Sequence, residues 1–286
     1  MKKPNLFIVG KQKSGTTALY DMLRQHPEVY MPERKETCYF NKEHTERDIK
    51  KEKDYLELFK GAKDEKYIGE ATASYLDSGS AVKEIKKFNP NARIIILLRE
   101  PVDFLRSLYQ HTILRAKEKA EIEKVLKSKE AFNRIKYSEQ VKRYLENFPK
   151  NNIKVIIYED MKKDNFRVFR EVCDFLGIGN SFKPIIMKRN TSRIERKNLF
   201  SKTLSRAPLY KLYLFIDKHF PVKIKNLIFK TGTKIMFKQK KIEIPKDIKK
   251  ELMEKTKPEV VKINDLLHKE SLIEKEKDLI KEWRYE

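Results

Sequence analysis

The chain of 286 residues holds only two cysteines, Cys38 and Cys173, widely separated in sequence. They form no CxxC pair and no metal-ligand spacing, which excludes a disulfide framework and a cysteine metal site. Two reduced, buried thiols in a cytosolic protein are expected instead. Apolar runs are short. Ile94–Leu98 is typical, far below the roughly 20 residues of a membrane span. No secretory leader is expected, because Pro4 and Asn5 lead straight into the first apolar stretch. A cytoplasmic location is therefore expected. No internal repeat and no Gly/Ser linker is seen, which predicts one domain over 1–286, with a core to about residue 190 and a basic helical cap over about 191–286.

What is present points to a folded protein with an anionic partner. The chain is 40% hydrophobic with 16 Phe, a composition that excludes intrinsic disorder. Its formal net charge is +23, and between Lys183 and Lys250 there are 20 Lys and Arg against 4 Asp and Glu. Nucleic acid, an acidic membrane surface, an anionic polymer and a polyphosphorylated small molecule all suit such a surplus. So does a merely lysine-rich solvated face. Tyr210, Tyr213, Phe215 and Phe220 interleave with lysines there, as in stacking grooves or interfacial helices, or as packing residues of the cap.

Strand patterns alternate with helix patterns over the first 180 residues. Leu6–Val9, Glu28–Met31, Tyr67–Glu70, Arg93–Leu98 and Ile153–Tyr158 read as strands. Arg93–Leu98 is apolar without alternation, as a strand buried on both faces of a parallel sheet would be. Helices are expected from Thr16, over Asp54–Phe59, Ala81–Phe88, Val102–Arg115, Glu121–Lys129, Ser138–Phe148, Asp160–Leu176 and Lys246–Leu267. The fold class is α/β, a three-layer P-loop-like arrangement with a central parallel sheet flanked by helices. Ligands of such sheets bind beyond the carboxyl ends of the strands.

The first strand runs into Gly10-Lys-Gln-Lys-Ser-Gly-Thr-Thr17. A nucleoside-triphosphate loop reads G-x-x-x-x-G-K-[ST]. Gly10 and Gly15 keep that spacing, but Thr16 stands where the lysine belongs, and the lysine sits inside the loop at Lys13. Lys13, Ser14, Gly15, Thr16 and Thr17, with the N-terminus of the following helix, would suit a 5′-phosphate and require no metal. Arg99 leaves the end of a buried strand as a bidentate anion fork. Ser107 lies two turns into the next helix.

These residues carry a family resemblance. Lys13-Ser-Gly-Thr-Thr-Ala-Leu19 resembles the 5′-phosphosulfate loop of sulfotransferases that use 3′-phosphoadenosine-5′-phosphosulfate (PAPS). Leu97-Leu-Arg-Glu-Pro-Val-Asp-Phe-Leu-Arg-Ser-Leu-Tyr109 resembles their 3′-phosphate motif, with Arg99 and Ser107 in the gripping positions. Lys35-Glu-Thr-Cys-Tyr-Phe40, Gly69-Glu-Ala-Thr-Ala-Ser-Tyr-Leu76 and Ile156-Ile-Tyr-Glu-Asp-Met161 are similar to further stretches of that family, and Ser107-Leu-Tyr-Gln-His111 to its heparan sulfate N-sulfotransferase branch. The likeness is strong over 5–180 and weak after 190. The chain departs from that branch at Ala71, where a lysine follows the glutamate. Arg193, Arg196 and Lys197 are the candidates for its second basic loop.

The resemblance implies a bacterial-type sulfotransferase. It would move a sulfuryl group from PAPS to a hydroxyl or amine of an acceptor, most naturally a carbohydrate, leaving adenosine 3′,5′-bisphosphate. Lys13 would stabilise the leaving group. Glu36, at crevice depth, or His111 would be the base, and Glu70 would orient a basic group. No nucleic acid is expected as partner, and the basic cap leaves peripheral membrane contact open. A polyanion-binding protein and a P-loop kinase are the alternative readings.

Overall fold

The computed structural model describes residues 2–43, 49–116, 122–185, 193–195, 237–239 and 243–286. The first apolar run becomes β1 (Leu6–Gly10) and ends at the Gly-bounded loop, after which α1 (Thr16–Leu23) begins. Then come β2 (Val29–Tyr30), α2 (Glu52–Glu57) and β3 (Tyr67–Ala71). A 3-10 turn (Ala73–Leu76) leads to α3 (Gly79–Phe88), β4 (Arg93–Leu98) and α4 (Pro101–Ala116). Next are α5 (Ile122–Leu126), α6 (Lys129–Asn133), α7 (Tyr137–Asn147) and β5 (Ile153–Ile157).

The expected helix over Asp160–Leu176 is two helices, α8 (Tyr158–Lys163) and α9 (Asn165–Leu176). The break is Asp164, whose carboxylate accepts from Phe166 N and Arg167 N at 2.9 and 3.0 Å. A side chain that caps the next helix competes with the one it interrupts, and such a cap stabilises by about 1 kcal/mol. The described chain continues with β6 (Arg193–Glu195), β7 (Phe237–Gln239), α10 (Lys246–Lys269) and α11 (Leu279–Glu282).

The sheet order is β2-β3-β1-β4-β5, and every neighbouring pair is parallel. Parallel strands require cover on both faces. On one face Leu6 and Ile8 meet Leu19, Leu23, Phe169 and Val172 from α1 and α9. On the other, Phe7 packs edge-on against Phe40, which also touches Tyr55 and Phe88. β1 and the apolar part of β4 are fully buried. Each large side chain so removed from water contributes about 1.5–3 kcal/mol.

The chain divides into two compact units. One holds residues 1–109, 119–189 and 244–286; the other holds 110–118 and 190–243. In the first, the C-terminal residues bond to the sheet's helices. Trp283 Nε1 donates to Glu159 at 3.1 Å, and Lys277 Nζ donates to both oxygens of Asp160 at 2.9 and 2.7 Å. In the second, β6 and β7 form an antiparallel pair. Tyr210, Tyr213, Phe215, Phe220, Arg196 and Lys197 lie outside the described residues. Cys173 is buried as expected, but Cys38 is only half-buried. Among the described residues no helix is long and apolar enough to cross a membrane.

Candidate active site

Gly10, Ala71, Leu98 and Ile157 end their strands on the same edge of the sheet, as parallel register requires. At Gly10 the backbone of β4 is so close that a Cβ would sit 2.4 Å from the Leu97 carbonyl oxygen. Only glycine lets the loop leave β1 there. Lys11 N then donates to Leu97 O at 3.0 Å, and Ser14 N to Lys11 O at 3.1 Å. The loop closes on Gly15, at φ 89, in the left-handed conformation that favours glycine.

Gly15 is the N-cap of α1. It supplies no side-chain cap, and the first turn holds no acidic residue. Among the described residues the first-turn N–H groups therefore remain open donors at the positive end of a helix. Thr16 and Thr17 place hydroxyls at the same end, and the Ser14 hydroxyl is fully buried without a hydrogen-bond partner among the described residues. Uncapped N–H groups and three hydroxyls, that of Ser14 orphaned among the described residues, fit a phosphate dianion.

Among the described residues a further cation is aimed at this end, one to which the sequence pattern assigns no role. Lys35 Nζ donates to Thr16 Oγ1 and to Thr17 Oγ1, both at 3.1 Å, and to Glu36 Oε1 at 2.7 Å. Its neighbour in sequence, Glu36, was an obvious signal, but the reach of Lys35 back to α1 is tertiary. Glu36 also accepts from Ala73 N at 3.0 Å. Its side chain is 43% exposed, so it stands at the mouth of the crevice and not at depth. Lys13, Glu36 and Cys38 have φ of 65, 57 and 53°. Left-handed non-glycine residues cost about 1 kcal/mol or more each and gather where surrounding structure holds a site.

The deep carboxylate is Glu70. It accepts from four hydroxyls, those of Thr37, Tyr55, Thr72 and Tyr75. Burial pushes its carboxyl above the usual range, against the pull of those hydroxyls. Its described hydrogen-bond partners include no basic group, which corrects the expectation that it orients one. Glu70 instead ties the Lys35–Phe40 segment to the end of β3.

Arg99, just past β4, is buried. Nη1 donates to Lys13 O at 2.8 Å and Nη2 to Asp103 Oδ2 at 2.6 Å, while its Nε is buried without a partner among the described residues. The guanidinium lies 4.6 Å over the Tyr158 ring. Burial opposes ionisation of Asp103, but Arg99 and Arg106 hold its carboxyl below the usual range. Ser107 is one turn beyond Asp103 on the same face of α4 and is buried. The N-terminus of α4 is closed by Glu100, which accepts from Val102 N at 2.8 Å and from the Tyr285 hydroxyl at 2.6 Å. His111 is on α4, but its side chain lies outside the described residues.

Beneath the loop Lys11 is fully buried. Its ammonium pairs with Asp77 and sits 5.8 and 5.3 Å from the Phe104 and Tyr137 ring centres. Burial lowers its pKa to about 8, with Asp77 opposing the fall. The structure thus brings together Lys13, Ser14, Gly15, Thr16, Thr17 and Glu36 around the loop, linked to Arg99 through the Lys13 carbonyl.

A model of the sulfotransferase domain matches residues 3–208. The chain is 28% identical over 195 residues to the human bifunctional heparan sulfate N-deacetylase/N-sulfotransferase 3, covering 61% of this chain and 22% of that one. It is 34% identical over 110 residues to the membrane-associated sulfotransferase kil1 of Dictyostelium discoideum, covering 38% of this chain and 23% of that protein. It thus spans under a quarter of the length of either. The solved structure of a sulfotransferase from Alicyclobacillus acidocaldarius superposes with a TM-score of 0.70 at 26% identity, covering 94% of this chain and 97% of that one.

Proposed function

Because the chain belongs to the sulfotransferase domain family, we propose that it moves the sulfuryl group of PAPS to a hydroxyl or amine of a carbohydrate acceptor. The observation that carries this reading is the bond from Arg99 to the Lys13 carbonyl. It joins a loop suited to one phosphate to a buried guanidinium suited to a second, as a nucleotide with separate 5′ and 3′ phosphates demands. The acceptor class rests on the carbohydrate sulfotransferases among the relatives, which include the human carbohydrate sulfotransferase 15, 32% identical over 149 residues.

PAPS supplies an activated sulfuryl group. The acceptor's lone pair attacks sulfur, and the bond from sulfur to the bridging oxygen breaks. That electron pair leaves with adenosine 3′,5′-bisphosphate. Such transfers depend on alignment and on neutralising the leaving group. Lys13 would stabilise the bridging oxygen as charge develops there. The N–H groups and hydroxyls of Thr16 and Thr17 would hold the 5′-phosphate, with Arg99 and Ser107 on the 3′-phosphate. Glu36, at the mouth of the crevice, would take the acceptor's proton.

The first test is thermal. Adenosine 3′,5′-bisphosphate without Mg²⁺ is expected to raise the melting temperature, because a ligand at 100 times its Kd stabilises by about 2.7 kcal/mol. Stabilisation by ATP with Mg²⁺ alone would favour a kinase, and a response only to polyanions would favour a binding protein. The base is tested with labelled PAPS and a glycan panel. Glu36→Gln is expected to lower turnover about 10²-fold or more, with His111→Asn near wild type. The reverse pattern would move the base to His111.

A further inference from the structure

We infer that Lys35 is a second catalytic cation, one that contacts the sulfuryl oxygens of the bound donor. The inference rests on the reading of the site as a PAPS site. Three acceptors surround the Lys35 ammonium: the two hydroxyls at the start of α1 and the Glu36 carboxylate. An ammonium has three protons, so one side chain bridges the two halves of the proposed site. The hydroxyls belong to the donor's 5′-phosphate, and the carboxylate belongs to the acceptor's proton. The group in flight must pass between a phosphate on the one and a nucleophile beside the other. Lys35 stands at that place.

The hydrogen-bond directions agree. Thr16 and Thr17 accept from Lys35 through their lone pairs. Each hydroxyl proton is then left to donate elsewhere, and an oxyanion on the loop is the natural acceptor. Lys35 therefore orders these hydroxyls as donors. Its flexible four-carbon stem lets the ammonium shift from a threonine oxygen to a sulfuryl oxygen. Its side chain is largely enclosed, at 16% exposure, so the interaction is less screened than one on the open surface. Lys13 and Lys35 then divide the work between the bridging oxygen and the sulfuryl oxygens.

The test compares two ligands that differ by the sulfuryl group. Calorimetry measures the Kd of PAPS and of adenosine 3′,5′-bisphosphate for the wild type, Lys35→Met and Lys35→Arg, with melting temperatures recorded on each. Lys35→Met is expected to weaken PAPS about tenfold more than adenosine 3′,5′-bisphosphate, which loses only the ordering of the Thr16 and Thr17 hydroxyls. Lys35→Arg should recover part of the loss. If Lys35→Met keeps the wild-type ratio of the two affinities, or loses both ligands equally, the assignment of Lys35 is wrong and the donor reading stands. If the wild type binds neither ligand, the donor reading itself fails and takes this inference with it. Should Lys35→Met fold poorly, the affinity ratio of Lys35→Gln decides the matter.

Discussion

Lys13→Ala is expected to lower turnover of PAPS about 10²-fold or more, the cost of losing one donor aimed at developing charge. Adenosine 3′,5′-bisphosphate should still raise the melting temperature of this variant. The remaining contacts explain why. Open N–H groups at α1, the hydroxyls of Thr16 and Thr17, and Arg99 do not depend on the Lys13 side chain. Arg99 bonds the Lys13 carbonyl, which alanine keeps. Backbone strain is not removed either, because alanine at φ 65 meets the same Cβ clash as lysine. Lys13→Gly is the companion. It relieves the left-handed cost of about 1 kcal/mol or more, so it should fold more stably than Lys13→Ala yet turn over no faster. Near-normal turnover by either variant would remove Lys13 from the chemistry.

The largest expected change in stability lies beneath the loop. Asp77→Ala is expected to cost about 3–5 kcal/mol, because it leaves a fully buried ammonium without its carboxylate. Arg134 and Arg143 also act on Lys11 with like charge. Lys11→Met should cost far less. Asp77 is partly exposed and keeps Arg134 at 3.5 Å and Gln140 at 3.2 Å, and methionine fills a similar volume between Phe104 and Tyr137. Urea unfolding of the two variants gives the comparison. A greater loss in Lys11→Met than in Asp77→Ala would contradict it.

The same pair sets a pH dependence. The Lys11 amine, ordinarily near 10.5, is lowered by burial to about 8 in the fold. Below pH 8 both folded and unfolded chains hold the proton, and the cost of burying charge is fully present. Between pH 8 and 10.5 the folded chain releases a proton that the unfolded chain keeps, so stability rises with pH. The span corresponds to about 3 kcal/mol. Measured against Lys11→Met, which cancels the contributions of Tyr and Cys groups, the wild type should gain stability from pH 8 to 10. A flat difference would show that Lys11 titrates normally.

β1, β4 and β5 could be read from the sequence because each is buried along nearly its whole length and so carries its own apolar run. The apolar run Arg93–Leu98 is a strand over those same residues, and the other strands differ from their sequence patterns by a residue or two at their ends. The helix break at Asp164 was legible in principle, since Asp before an apolar helical run is a capping signal. It was hidden by charge patterning that continues across it. The loop Gly10–Thr17 was legible for a stronger reason. Its spacing is local, and so are the demands of a strand-to-helix turn on glycine.

Sequence by itself determined the α/β class, the family resemblance and the spacing of Lys13, Thr16, Thr17, Arg99 and Ser107. All of these rest on residues close together in the chain, where backbone geometry allows few arrangements. Tertiary structure decided the strand order β2-β3-β1-β4-β5, the burial of Glu70 among four hydroxyls, the pairing of Lys11 with Asp77, and the placing of Lys35 between Glu36 and the start of α1. Those contacts join segments that are free to take many relative positions until the sheet forms. A lysine on a surface loop and a lysine poised over a phosphate site look alike in sequence, because only the fold supplies the acceptors that tell them apart.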